Sequence, residues 1–186
     1  MIYPVHIYGH NALRKKSENI TADYPNLKAI IESMFETMLA SDGIGLAAPQ
    51  IGINIKLFII DAFPISEDNP ELADFKKVFI NPIIIEESGE PWYYNEGCLS
   101  LPGIREDIKR KPIIKIEYFD EFFNKHIESF DGIKARIIQH EYDHLEGKLL
   151  IDHINPIKKQ FLRKKLNNLT QGSTNVNYKV KFANSK

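Results

Sequence analysis

A glutamate bracketed by two histidines four residues apart, in the run from His140 to His144, constrains this chain more than any other feature. An N-cap at Asp131, apolar residues at Ile133 and Ile137, and a stop at Gly147 predict that the run lies on a helix from Asp131 to Glu146. Both imidazoles then leave one helix face about a turn apart, near enough to reach a single ion. Glu141 sits about 100° further round, outside the ligand row but within reach of a water held there, which is the position of a general base. Chance placement gives this pattern in below about one per cent of chains of this length. A structural metal site usually takes four protein ligands, whereas a catalytic one keeps a position for water. For a catalytic site, a third ligand and only a third is what to seek in the rest of the chain.

His153 follows the pair too closely and lacks the glycine spacing expected of zinc proteases built on this helix motif. Cys98 is the stronger third ligand: it is the single cysteine, it lies in the turn-rich run EGCLSLPG, and its thiolate would add a soft donor to two imidazoles. An isolated cysteine is ordinarily a small buried hydrophobe, and only the histidine pair reverses that reading. With one cysteine no internal disulfide can form, which permits a reducing compartment.

A chain of 186 residues fits one domain, read here as 1–186, and its 43% hydrophobic and 26% charged residues exclude disordered, collagen-like and coiled-coil classes. The first twenty residues carry His6, His10, Arg14, Lys15 and Lys16 without an apolar core, unlike a secretory or transit peptide. No apolar run approaches about 18 residues, so no spanning helix and no membrane partner are expected, and the cytoplasm is the expected location. Leu27, Ile30, Ile31, Met34, Phe35, Met38 and Leu39 predict a first helix, starting near Asp23 and Pro25, with one face on the core. A glycine turn at Asp42 to Gly45 precedes a buried strand at Ile55 to Ile60. Phe63 to Phe75 reads as a surface loop. Strands are expected at Val78 to Ile80, Ile83 to Glu86, Ile113 to Phe119 and His126 to Phe130. A last helix after Pro156 would place Ile157, Phe161, Leu162, Leu166 and Leu169 on one side. The fold class is α+β: antiparallel sheets around a central histidine-bearing helix, with helices toward both ends.

Three segments, GIGLAAPQIG at Gly43 to Gly52, EGCLSLPG at Glu96 to Gly103 and QHEYDHLEG at Gln139 to Gly147, together resemble the peptide deformylases of bacterial, iron-dependent type. The motifs stand in the family's order, and the spacing fits over roughly the whole length. The resemblance implies that Cys98, His140 and His144 bind one divalent ion, with Fe2+ the natural metal and Zn2+, Ni2+ or Co2+ as substitutes. It assigns proton transfer to Glu141. Donors to the developing oxyanion are, by the same resemblance, the Gln50 side-chain amide and the Leu99 backbone N–H. The substrate it implies is an N-formyl-methionyl peptide, extended between the segments of Gly43, Ile44 and Gly45 and of Gly97. Ile44 and Ile137, with Ile133 a turn earlier, are candidates for the methionine pocket, and Arg105 aligns with a position that contacts the peptide portion. Glu96 and Tyr142 are read as supporting residues, and Asp143 either orients a ligand or is simply solvated.

From Lys148 onward nine basic residues face one acid, Asp152, which leaves an acidic body and a basic C-terminal helix and tail from about residue 156. In deformylases of similar layout this helix docks on the ribosome near the nascent-chain exit, so ribosomal RNA or protein is an expected partner of an otherwise monomeric enzyme. A zinc endopeptidase and a noncatalytic ribosome-associated module with a structural metal are the competing readings.

Overall fold

The computed structural model describes residues 1–183 and bears out the α+β expectation. Its centre is a five-stranded antiparallel sheet of β2 (Gly45–Ala47), β3 (Leu57–Asp61), β4 (Lys76–Ser88), β7 (Ile113–Phe119) and β8 (Lys125–Asp131), in the order β2-β3-β4-β7-β8. A separate hairpin joins β5 (Trp92–Gly97) to β6 (Arg105–Arg110), with Gly97 opposite Arg105. The strand β1 (Val5–His6) pairs with β9 (Val180–Lys181) near the other end of the chain, and this one small sheet is parallel, against the all-antiparallel expectation.

The continuous apolar run of β3 follows from burial on both faces. Phe58 and Ile60 join Phe79, Tyr118, Ala135, Ile138 and Leu145 in a core under α2 (Gly132–Leu145). Leu57 and Ile59 join Ile31, Met34 and Met38 in a second core under α1 (Leu27–Ala40). The sheet is thus sandwiched between the first helix and the histidine-bearing one. A third cluster, including Ile7, Leu101, Ile108, Leu149, Leu166 and Leu169, ties β1 and the β5–β6 hairpin to α3 (Pro156–Thr170).

Several expected boundaries shift for identifiable reasons. The first helix starts at Leu27, not near Asp23, because Asn26 at its N-cap has a left-handed backbone (φ 58°) that no helix continues through. Leu39, placed on the apolar stripe, is exposed, while Thr37 is buried instead. The Tyr3 N–H donates to Thr37 Oγ1, so the N-terminal segment covers a face that the stripe left polar. The two strands expected at Val78 to Ile80 and Ile83 to Glu86 are the single strand β4, broken in register between Ile80 and Ile83. Pro82 cannot donate to the ladder and sits in that irregularity, beside Asn81, whose left-handed backbone (φ 49°) is held by side-chain bonds to Ile20 N–H and Ile20 O at 2.9 and 2.7 Å. The loop before β4 is anchored by the buried Leu72 and Phe75 and is not wholly a surface feature.

The last helix departs most from its pattern. Leu166 and Leu169 are buried, but Ile157 is 67% and Phe161 83% exposed. At about 100° per residue, Ile157 and Phe161 fall within about 40° of each other, whereas Leu162, Leu166 and Leu169 lie roughly 120–180° round from Ile157. The five apolar residues form two faces, of which one packs.

Candidate metal centre and cleft

α2 is the element that builds the site. Asp131 occupies its N-cap position without a side-chain hydrogen bond, and Gly147 follows its end with φ 69°, the left-handed stop that glycine takes without strain. The helix is buried well beyond one stripe, with Arg136, Gln139, Glu141 and His144 all inside, so its polar residues have to find partners.

Cys98 follows β5 directly, and its Sγ lies 3.4 Å from His144 Nε2. The nearest ligand atoms of Cys98, His140 and His144 all fall within 4.8 Å of one another, so one ion can draw on all three. His140 Nδ1 is 2.9 Å from Glu96 Oε2. An ionised carboxylate only accepts, so Nδ1 carries a proton and Nε2 is the nitrogen left to face Cys98 and an ion. Burial opposes ionisation of Cys98, but the His144 charge and hydrogen bonds from both imidazoles outweigh it and bring the thiol down to about 5. A thiolate and two imidazoles are a donor set that suits a divalent transition metal.

Glu141 is 5% exposed, and its Oε2 has no hydrogen-bond partner among the described residues. Burial raises it to about 7, against the pull of the two histidines. A Cβ at Gly45 would collide with this carboxylate, which explains the glycine where β2 passes α2. Gln50 is fixed from both ends: its Oε1 accepts from the Ala47 N–H at 2.8 Å, and its Nε2 donates to Ser100 Oγ at 3.2 Å and points to Cys98 Sγ at 3.8 Å.

Behind the ligands lies a charged cluster. Glu96 accepts from Arg110 Nε and Nη2 (2.8 and 3.1 Å), from Arg136 Nη1 (3.1 Å) and from His140. Arg110 also reaches Asp143 Oδ2 at 2.7 Å, which His153 Nε2 meets at 2.7 Å. Burial alone would raise Glu96, yet these partners hold it well below the usual carboxylate range. Glu96 therefore supports His140 directly, whereas Asp143 is neither on a ligand candidate nor simply solvated: it braces Arg110 and His153. Tyr142 packs on the core under α2. Arg110 and Arg136 were not legible as site residues, because nothing in the spacing links β6 and the far side of α2 to Glu96.

A cavity of about 890 Å3 opens over the centre, lined by Gly43, Ile44, Gly45, Gln50, Gly97, Cys98, Leu99, Arg105, Ile137, His140 and Glu141, so the expected site residues come together. His144 is buried behind them, in contact with Cys98. Ile133 packs on the core under α2. Arg105 is held by Asn95, through Nε to Oδ1 and Nη2 to the carbonyl, both at 2.8 Å. One wall has no counterpart in the sequence reading: Thr174–Tyr178, after α3, also line the cavity.

The Polypeptide deformylase family pattern matches residues 2–160. The peptide deformylase of Flavobacterium johnsoniae is 51% identical, covering 100% of this chain and 98% of that one. That of Christiangramia forsetii is 48% identical over the same shares. Among solved structures, peptide deformylase from Plasmodium falciparum superposes with a TM-score of 0.81 at 38% identity, over 90% of this chain and 95% of that one. The Thermotoga maritima peptide deformylase gives 0.75 at 39% identity, over 84% and 99%. Sequence agreement of this extent, on a shared fold and with the three motifs gathered at one cleft, means that this chain belongs to the polypeptide deformylase family.

Proposed function

We propose that this protein hydrolyses the formyl group from N-formyl-methionyl peptides, releasing formate and a free amino terminus. The observation that carries this reading is the cleft in which a buried, unpartnered Glu141 carboxylate lies beside the Cys98, His140 and His144 cluster. Those three residues would hold a divalent ion, which when bound lowers the pKa of water and polarises a carbonyl. The donor set accepts Zn2+ as well as Fe2+, and the family resemblance favours Fe2+; metal analysis of protein purified without exchange tests this.

Glu141 takes a proton from the attacking water and returns it to the departing amine, so that water and amide become formate and amine. The Gln50 Nε2 and the Leu99 N–H donate to the formyl oxygen as negative charge develops there. The peptide runs as an added strand between the segments of Gly43 to Gly45 and Gly97, with the methionine side chain against Ile44 and Ile137 and the peptide portion toward Arg105. Backbone pairing of this kind sets no side-chain preference of its own after the first residue. Formate measured from formyl-Met-Ala-Ser, with anaerobically prepared, Fe2+-loaded protein, is the direct test. Cleavage of internal bonds without formate would sink the reading.

Gln50→Ala is expected to lower kcat by about 10²–10³, the usual cost of losing one oxyanion donor. It also removes the acceptor for the buried Ala47 N–H, so a stability loss of about 1–3 kcal/mol should accompany it. Formate kinetics and urea unfolding check the two effects separately.

For the basic C-terminal helix we propose a ribosomal partner, with the protein acting as a cytoplasmic monomer where nascent chains are made. Lys158 pairs with Glu106 and Lys159 with Asp152, but Arg163 and Lys164 have no ion pair among the described residues, and Ile157 and Phe161 stand exposed on the same helix. Leu166 and Leu169 belong to the third core cluster, so truncating the helix would damage the fold, and charge reversal is the cleaner test. The double variant Arg163→Glu and Lys164→Glu should reduce cosedimentation with ribosomes and flatten its salt dependence by roughly 1–2 released counterions, while formate release from free peptides stays unchanged. Equal salt slopes for parent and variant would remove the proposal.

A further inference from the structure

We propose that Thr174–Tyr178 form a specificity wall of the cleft, with Val176 limiting the size of the residue that follows the formyl-methionine and Tyr178 positioning the wall against Leu99. This rests on the deformylase reading of the site.

Exposure alternates along the segment: Thr174, Val176 and Tyr178 are half-buried, and Asn175 and Asn177 are exposed. The segment has no regular secondary structure, bends at Asn177 and Tyr178, and lines the cavity along its length. Both ends are fixed. Before it, the Ser173 N–H donates to the Asn168 carbonyl at 2.8 Å, closing the turn after α3. After it, the Tyr178 hydroxyl donates to the Leu99 carbonyl at 2.8 Å, the Val5 N–H donates to the Lys179 carbonyl at 2.9 Å, and β9 pairs with β1. Phe182 packs on the third core cluster just beyond. Five residues suspended between such anchors have little slack, so the wall has a definite position.

The family pattern ends at residue 160, so this wall lies outside the stretch that defines the family. Ile44 and Ile137, proposed for the methionine side chain, come from the other elements of the cleft. A cavity of about 890 Å3 is near the upper end of the roughly 300–1,000 Å3 typical of ligand sites, which leaves room for residues beyond the methionine. Tyr178 grips the carbonyl of Leu99, the residue after Cys98, so the wall is registered on the same turn that carries the third metal-ligand candidate. Val176 lines the cavity together with that turn, so a peptide leaving the turn would pass its methyl groups. Small second residues fit this arrangement and large aromatic ones do not.

The test compares kcat and KM for formyl-Met-Ala-Ser and formyl-Met-Trp-Ser, using the Fe2+-loaded full chain. The parent should prefer the alanine peptide. Val176→Gly should narrow that preference by about tenfold, chiefly through KM for the tryptophan peptide, since a few methyl-sized contacts in a pocket are worth about that much. Val176→Trp should widen it by a similar factor. Tyr178→Phe keeps the ring and removes the anchor, and should narrow the preference as Val176→Gly does, an effect that a merely structural tyrosine would not have. Where Val176→Trp does not fold, the two milder variants decide. A parent without preference, or a preference within about twofold of the parent's in Val176→Gly and Tyr178→Phe, overturns the proposal. No formate from either peptide with the parent overturns the deformylase reading itself, and the proposal with it.

Discussion

Glu141→Gln should lower kcat for formate release by about 10²–10⁴ while leaving metal content and fold intact. The side chain is buried, its Oε2 is unpartnered among the described residues, and burial raises it to about 7, which suits a group that must both take and return a proton near neutrality. Glutamine has the same shape and no exchangeable acid. A buried carboxylate without partners is a cost to the fold, so the variant is expected to melt no lower than the parent. Loss of activity without loss of stability or of bound metal separates proton transfer from architecture. A variant that keeps activity within about tenfold of the parent would place the proton chemistry elsewhere.

The ligand helix was legible because four-residue spacing on a helix is itself a three-dimensional statement: it fixes which side chains share a face. β3 was legible for a similar reason, since an apolar run buried on both faces has few other uses. Cys98 and Gln50 carry no such periodicity, and they became site residues only through the company of the other motifs. The wall at Thr174–Tyr178 had no local signal at all. Its position depends on two-residue strands, Val5–His6 and Val180–Lys181, that pair across nearly the whole chain. Two residues are too short to show alternation. The misplacement of Leu39, Ile157 and Phe161 has a different origin, because counting apolar residues at spacings of three and four admits two faces unless their angles are compared.

These differences bear on how the site is held. α2 presents His140, Glu141 and His144, but the third ligand candidate and the oxyanion donors come from turns after β5 and β2. Turns hold precise positions only when their polar groups are tied down. Gln50 does this for one, bridging Ala47 and Ser100, and Tyr178 does it for the other through Leu99. The ion cluster around Glu96 ties β5 and β6 to α2 and thereby joins both ligand-bearing elements.

Glu96→Gln is accordingly expected to cost about 3–5 kcal/mol of stability, the usual effect of breaking a buried ion pair from one side. The buried charges of Glu96, Arg110 and Arg136 and the half-buried charge of Asp143 balance in the parent. Without Glu96, two buried guanidiniums are left with the one half-buried carboxylate of Asp143. At about 2–4 °C per kcal/mol for a chain of this size, the melting temperature should fall by roughly 6–20 °C. The same change replaces the acceptor that orients His140 Nδ1, so metal affinity should drop about 10–100-fold. Asp143→Asn separates the two effects, because it weakens the pairs with Arg110 and His153 but leaves the Glu96–His140 contact in place. It should lower the melting temperature with a much smaller change in metal affinity. Equal losses of metal affinity in both variants would mean that His140 is oriented by the packing of α2 as a whole and not by the carboxylate beside it.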